Sequence, residues 1–351
     1  MHRVVRVKDL SDLVAAVPSL LGFYPTDSLI VVVLTGPDRN HVAMTLRLDL
    51  PPAGQRRSVV TQLLGFLRQH DDAAVLLLVV GGHDEPEPAS ESPPQRGLVR
   101  IVNEGMSRLA LPVAHRLWAS TIATGVRWQC YDDSSCSGIL PAPDPTAIAA
   151  ETVAAGRITY GSRSELASLL TPDDETTLAL RAERIEQLLA AAPPADRSRP
   201  DEATSRALRQ LFGAIDAMRR GTFKPSNANI ARLAVALTGY EARDACVMAP
   251  TNERAAAAEQ LWLTLTKAVP APYRAEPASL LAMSAYLRGD GAFSAIALDA
   301  AQDADPDHRL SGLLRDALNV GLPASHLDAL VAGFAQAAAR LLSAPDGLTD
   351  H

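Results

Sequence analysis

A histidine beside two carboxylates, His83-Asp84-Glu85, follows Gly81-Gly82 at the end of an apolar run, Ala73 to Val80. If that run is a strand, the triplet stands at a strand end, where α/β sheets commonly collect ligands. An imidazole next to carboxylates can act as a base or hold a divalent cation. Pro86, Pro88, Pro93 and Pro94 give the adjoining segment the composition of a solvated acidic loop, which positions ligands poorly. A second grouping, Tyr24-Pro25-Thr26-Asp27-Ser28, precedes another apolar run. Its polar side chains can bind a polar ligand or cap local backbone groups. The candidates for catalysis are thus His83, Asp84 and Asp27, and those for ligand binding Tyr24, Asp27 and Ser28.

Other groupings are poorer in chemistry. Cys130 and Cys136 can form a reversible disulfide or contribute two metal ligands beside His115 or Asp132, but their spacing is not C-x-x-C, and they read as ordinary free thiols. The run Gln302-Asp303-Ala304-Asp305-Pro306-Asp307-His308 lacks the glycine and distal glutamate of a calcium loop, and reads as an interhelical turn with Asp305 capping the next helix. Arg206, Arg209, Arg219, Arg220 and Lys224 are interrupted by Asp201, Glu202 and Asp216, the pattern of a solvated helix face. The chain has no phosphate-loop, dinucleotide-binding, zinc-protease or nucleophile-elbow motif. No metal or cofactor is assigned.

The elements that must position these residues are read from periodicity. Val4 to Val7 reads as a short strand and Asp9 as the N-cap of a helix through Leu21, which Pro18 should bend or end. Leu29 to Leu34 is apolar throughout and rich in β-branched residues, a strand buried on both faces. Val42, Met44, Leu46, Leu48 and Leu50 alternate with polar or small residues, a half-exposed antiparallel partner. A helix from Arg56 to His70 leads into the strand Ala73 to Val80 as a β-α-β crossover. A helix from about Arg96 to Leu109 and strands Val113 to Ile122 and Val126 to Tyr131 complete a mixed sheet. Beyond about Pro141 the strand signal stops and amphipathic helices fill the chain, one starting at Thr171-Pro172. The expected organisation is a mixed α/β domain over 1–155 and an all-α helical domain over 156–351.

Composition narrows the classes. A length of 351 residues suggests more than one core. A net charge of −7 argues against a protein built to grip phosphate backbones, so nucleic acid is an unlikely partner. The apolar runs fall short of the roughly 20 residues that a membrane helix needs, and three cysteines are too few for a disulfide scaffold. No membrane association and a cytoplasmic, reducing location are expected.

Two resemblances add to this. Leu280 to Ala301 with Asp303-Ala304-Asp305-Pro306 resembles a tetratricopeptide-like helix pair, with Gly289-Asp290-Gly291 as its turn, although Ala278 and Ala285 stand where that repeat favours aromatics. The implied hairpin lies near 277–320. More broadly, Pro18-Ser19-Leu20-Leu21-Gly22-Phe23-Tyr24-Pro25-Thr26-Asp27-Ser28-Leu29, Ala231 to Leu237 with Arg243-Asp244, and Tyr286 to Ala292 with Asp305-Pro306 resemble an uncharacterised actinobacterial family known only as a domain of unknown function. That resemblance implies one lineage for both parts and no mechanism. The expected function is a non-catalytic interaction or regulatory protein. Its helical domain would offer a groove to a protein partner, and the α/β domain would be a scaffold or small-ligand sensor. The alternative is a hydrolase or metal-dependent enzyme acting on a small phosphorylated or acylated metabolite.

Overall fold

The computed structural model describes residues 9–37, 41–68, 73–82, 92–142, 158–192 and 200–343. The chain divides into two compact units, Met1–Leu166 and Ala167–His351. The expected strand at Val4 to Val7 and the expected boundary after residue 155 lie outside the described residues.

In the first unit, α1 (Leu10–Leu21) starts where the Asp9 carboxylate accepts the Ser11 N–H at 2.8 Å. It ends at Gly22, whose φ of 79° turns the chain and whose N–H reaches the Pro18 carbonyl. Pro18 does not end the helix: it sits inside the last turn, which runs on at the loss of one backbone hydrogen bond. Among the described residues the sheet has six strands, β1 (Ser28–Thr35), β2 (His41–Asp49), β3 (Ala74–Val80), β4 (Val113–Ala119), β5 (Arg127–Cys130) and β6 (Ser137–Ile139), in the order β2-β1-β3-β4-β5-β6. β3 and β4 are parallel and every other neighbouring pair is antiparallel, so the sheet is mixed as expected. The helix α2 (Arg56–Leu67) carries the chain from β2 to β3 across the intervening β1, and α3 (Arg96–Arg108) connects the adjacent β3 and β4. β6 has no counterpart among the expected strands; its three residues are too few to show an alternating pattern.

β3 is buried along its whole length and β1 up to Leu34, because both lie inside the sheet. Leu29, Val31 and Val33 join Val75, Leu77 and Val79 in one core with Val60, Leu63 and Leu67 of α2 and Leu98, Val102 and Met106 of α3. The period of two sends Ile30, Val32, Leu76 and Leu78 to the opposite face, where they are equally buried. Each such side chain contributes about 1.5–3 kcal/mol by leaving water. β2, at the sheet edge, gives Met44, Leu46 and Leu48 to the core and leaves Ala43 and Asp49 exposed. Beyond the last strand, Tyr160 returns to the sheet unit as a parallel bridge with Phe23.

The helices of the rest of the chain are α4 (Arg163–Ser168), α5 (Glu175–Ala190), α6 (Pro200–Arg219), α7 (Asn227–Leu237), α8 (Tyr240–Asp244), α9 (Ala255–Ala268), α10 (Ala275–Leu287), α11 (Gly291–Ala304), α12 (Arg309–Asn319) and α13 (Asp328–Ser343). α5 starts later than Thr171: Asp174 is its cap and accepts the Thr177 N–H at 2.9 Å. Inside the second unit, Arg181 is tied to Asn227 at 2.9 Å, Asp173 at 2.6 Å and the Ala268 carbonyl at 2.8 Å. α10 and α11 form the expected hairpin. Asp290 caps α11 through the Phe293 N–H, and fully buried Ala278, Ala282, Ala285, Ala297 and Ala301 let the two backbones approach closely.

Candidate functional site

The carboxyl ends of β2 and β3 and the amino end of β1 meet at one edge of the sheet, since Ser28 pairs with both Asp49 and Val80. Here Asp27 adopts a φ of 40°, rare for a residue with a Cβ. Its carboxylate accepts the Gly82 N–H at 2.8 Å, and its carbonyl accepts the Leu50 N–H at 2.9 Å. Gly81 and Gly82 also have positive φ, and a Cβ on Gly81 would overlap the Asp27 carboxylate. The Trp118 indole donates to the Gly81 carbonyl at 2.9 Å. Ser28 donates to the Thr26 carbonyl at 2.6 Å and accepts from Arg47 at 2.8 Å, while Tyr24 holds Tyr160 through its backbone N–H. Asp27 and Ser28 are thus brought together with Gly81 and Gly82, each engaged with neighbouring groups. His83 and Asp84 lie outside the described residues.

Beside this corner, Gln95 is buried with a φ of 63°, directly before α3, and accepts a hydrogen bond from Arg56 at the start of α2 at 2.8 Å. Neither residue stands out in the sequence, because an isolated glutamine and one arginine among many have no local pattern. The Arg56 guanidinium and the start of α3 thus lie beside Gly82 and Gly97, next to a corner that already holds the Asp27 carboxylate.

Cys130 and Cys136 are not free thiols. A disulfide joins them, and the Cys130 N–H donates to the Cys136 carbonyl at 2.8 Å across the β5–β6 hairpin. The reason is topological: the hairpin brings two residues of unremarkable sequence spacing to opposed positions. Asp132 is paired with Arg116 at 2.8 Å. Burial and the Arg116 charge hold His115 below the ordinary histidine range. Among the described residues, no three histidine, cysteine or acidic side chains converge in a way that could hold a metal ion. The remaining thiol, Cys246, is buried, and burial pushes it far up, which leaves it inert.

The second unit contains a polar cluster with no forewarning in the sequence. Glu276 accepts from Arg243 at 2.8 Å and stands 3.2 Å from the His308 Nε2, although the latter contact is poorly aligned for a hydrogen bond. His308, not Asp305, is the cap of α12. Its Nδ1 accepts the Ser311 N–H at 3.3 Å, so in the neutral ring Nε2 carries the proton toward Glu276. Ser279 Oγ lies 3.1 Å from Nδ1 and 2.7 Å from the Ala275 carbonyl, two acceptors for one proton. A serine, a histidine and a glutamate in contact suggest nucleophilic catalysis. Ser279 is fully buried, however, so its oxygen meets no substrate, and the cluster binds α8, α10 and α12 together.

An open groove of about 380 Å³ lies between α6 and α7. Gly213, Ala214 and Ala217 of α6 and Leu233 of α7 form its floor, with Phe223, Lys224 and Arg232 around it. The turn that presents Phe223 and Lys224 is firmly built. Gly221 takes a φ of 67°, the Thr222 N–H returns to the Ala217 carbonyl at 2.9 Å, and the Lys224 carbonyl accepts from Ser226 and Asn229. Arg219, another member of the expected basic cluster, is engaged elsewhere, with Asp216 and Glu253.

A family model, Domain of unknown function (DUF4192), matches residues 11–325, which span both units. No curated protein and no solved structure matches the chain.

Proposed function

The chain belongs to the DUF4192 family, a domain of unknown function, and from that premise we propose a non-catalytic interaction or regulatory protein whose helical unit receives a protein partner in the α6–α7 groove. The observation that carries this is the groove itself: an open concavity of about 380 Å³ with small residues in its lining, a volume within the range of ligand clefts. The α/β unit then serves as scaffold or small-ligand sensor, and the protein works in the cytoplasm. No described helix is long and apolar enough to cross a membrane. Selection of a displayed random-peptide library on the full-length protein tests the proposal. Wild type should retain peptides that Ala217→Trp, which fills the floor, releases. Selection of the same peptides by both proteins, or of none, would refute it.

The corner formed by Asp27, Gly81 and Gly82 supports a competing function, a hydrolase or metal-dependent enzyme for a small phosphorylated or acylated metabolite, because ligands gather at the carboxyl ends of strands. Its test is turnover of model phosphate and acyl esters by wild type and Asp27→Asn; equal or absent turnover would remove it.

A further inference from the structure

We infer that the segment received by the α6–α7 groove is an acidic peptide whose carboxylates meet Lys224 and Arg232 while an apolar side chain between them rests on Ala217, Phe223 and Leu233. This rests on the groove being a partner site and adds the chemistry of the partner. The charge argument rests on where these two residues stand, at the lining of the groove. The chain carries more acidic than basic groups, and several arginines of the helical unit are matched to carboxylates: Arg243 to Asp244 and Glu276, Arg254 to Asp216, Arg288 to Glu259 and Asp290, Arg315 to Asp299. Among the described residues, neither Lys224 nor Arg232 forms an ion pair. Arg232 donates a long hydrogen bond to Asn229 at 3.4 Å. Both are exposed and both line the groove.

The surroundings point the same way. α7 begins at Asn227, next to Lys224, so its dipole adds positive potential to the cationic rim. Among the described residues, no carboxylate lines the groove to oppose a negative guest. The floor of Gly213, Ala214 and Ala217 offers almost no side-chain bulk, so a peptide backbone can lie close to α6. A groove with cations on the rim and an apolar floor matches a chain that alternates acidic and aliphatic residues. A stripe of cations without such a floor would suit a phosphate backbone instead.

The test uses the full-length protein and a fluorescently labelled, capped peptide of glutamate and leucine, with counterparts in which glutamine or lysine replaces every glutamate. Anisotropy should show saturable, salt-sensitive binding of the glutamate peptide only. Lys224→Glu with Arg232→Glu, two exposed positions whose reversal leaves the core untouched, should weaken it by at least about tenfold. The same double variant should gain binding of the lysine peptide, a result that misfolding cannot produce. Equal binding of the glutamine peptide, abolished by Ala217→Trp, would overturn the acidic assignment and leave the partner groove standing. Failure of the glutamate peptide while a single-stranded oligonucleotide binds through Lys224 and Arg232 would also overturn it, in favour of nucleic acid.

Discussion

Alanine at Gly81 and alanine at Gly22 should have different costs, and the difference measures the Asp27 corner. Both glycines have nearly the same positive φ, 75° and 79°. An L-residue in that region costs about 1–2 kcal/mol. At Gly22 this is the whole penalty, because nothing stands within 4 Å of the added Cβ. At Gly81 the Cβ overlaps Asp27 Oδ1 and comes within 3.1 Å of the Asp27 amide nitrogen. The carboxylate must swing away and give up its bond to the Gly82 N–H. A hydrogen bond to a charged group contributes about 1.5–3 kcal/mol, and the lower end applies because Asp27 is exposed and water replaces part of it. Gly81→Ala should therefore cost about 1.5 kcal/mol more than Gly22→Ala, a melting point lower by about 3–6 °C for a unit of this size. The assay is thermal unfolding in a Trp262→Phe background, which leaves Trp118 and Trp128 of the sheet unit as the only indoles. Trp118 donates to the Gly81 carbonyl and so reports on the corner directly. Removing the obstructing side chain with Asp27→Gly should restore part of the loss in the Gly81→Ala protein and be non-additive with it. Equal melting of the two alanine variants, or full additivity with Asp27→Gly, would refute the reasoning.

Three further outcomes are expected. Leu77→Ala, at a fully enclosed position of β3, should destabilise the sheet unit by about 2–5 kcal/mol in urea unfolding, with a smaller value showing that the site collapses around the gap. Burial alone raises the Glu276 carboxyl, but the contacts and charges of His308 and Arg243 outweigh it and hold the group below the ordinary glutamate range. A depressed carboxylate stabilises the fold fully above its unfolded pKa of about 4.3 and loses that contribution as pH falls through the folded value. Glu276→Gln should therefore be less stable near neutrality and decline less steeply on acidification below about pH 5; parallel profiles would contradict this. Cys130→Ser, which opens the short Cys130–Cys136 loop, should cost about 2 kcal/mol, measured against the oxidised wild type and matched by dithiothreitol treatment of that wild type.

The sheet is largely legible in the sequence because its signals are local. Leu29 to Leu34 and Ala74 to Val80 announce buried strands by β-branched and aliphatic content, and Asp9 and Gly22 mark the ends of α1 by their capping chemistry. The features that escape depend on long-range geometry. The disulfide needs the β5–β6 hairpin, whose second strand is too short to show a period. The cap of α12 is His308 and not Asp305 because a ring nitrogen can accept a backbone N–H as well as a carboxylate can, which residue type does not foretell. Arg243, Glu276 and His308 are far apart in sequence, and only the packing of α8, α10 and α12 brings them into contact. For the groove, Lys224 is visible as part of a basic cluster. Its distinction lies in lining the groove, and that is a property of the folded surface alone.

The order of the strands leaves the two borders of the sheet unequally guarded. β6 is three residues long and cross-linked to β5, so it offers little to an incoming strand. β2 is nine residues long and, among the described residues, no strand covers its outer side. Its defence is a register shift between Val33 and Leu34 on its partner β1, which bends the border, and the charged pair Arg47 and Asp49. Chains with a loosened α/β unit should therefore associate through β2, the longer and less guarded border.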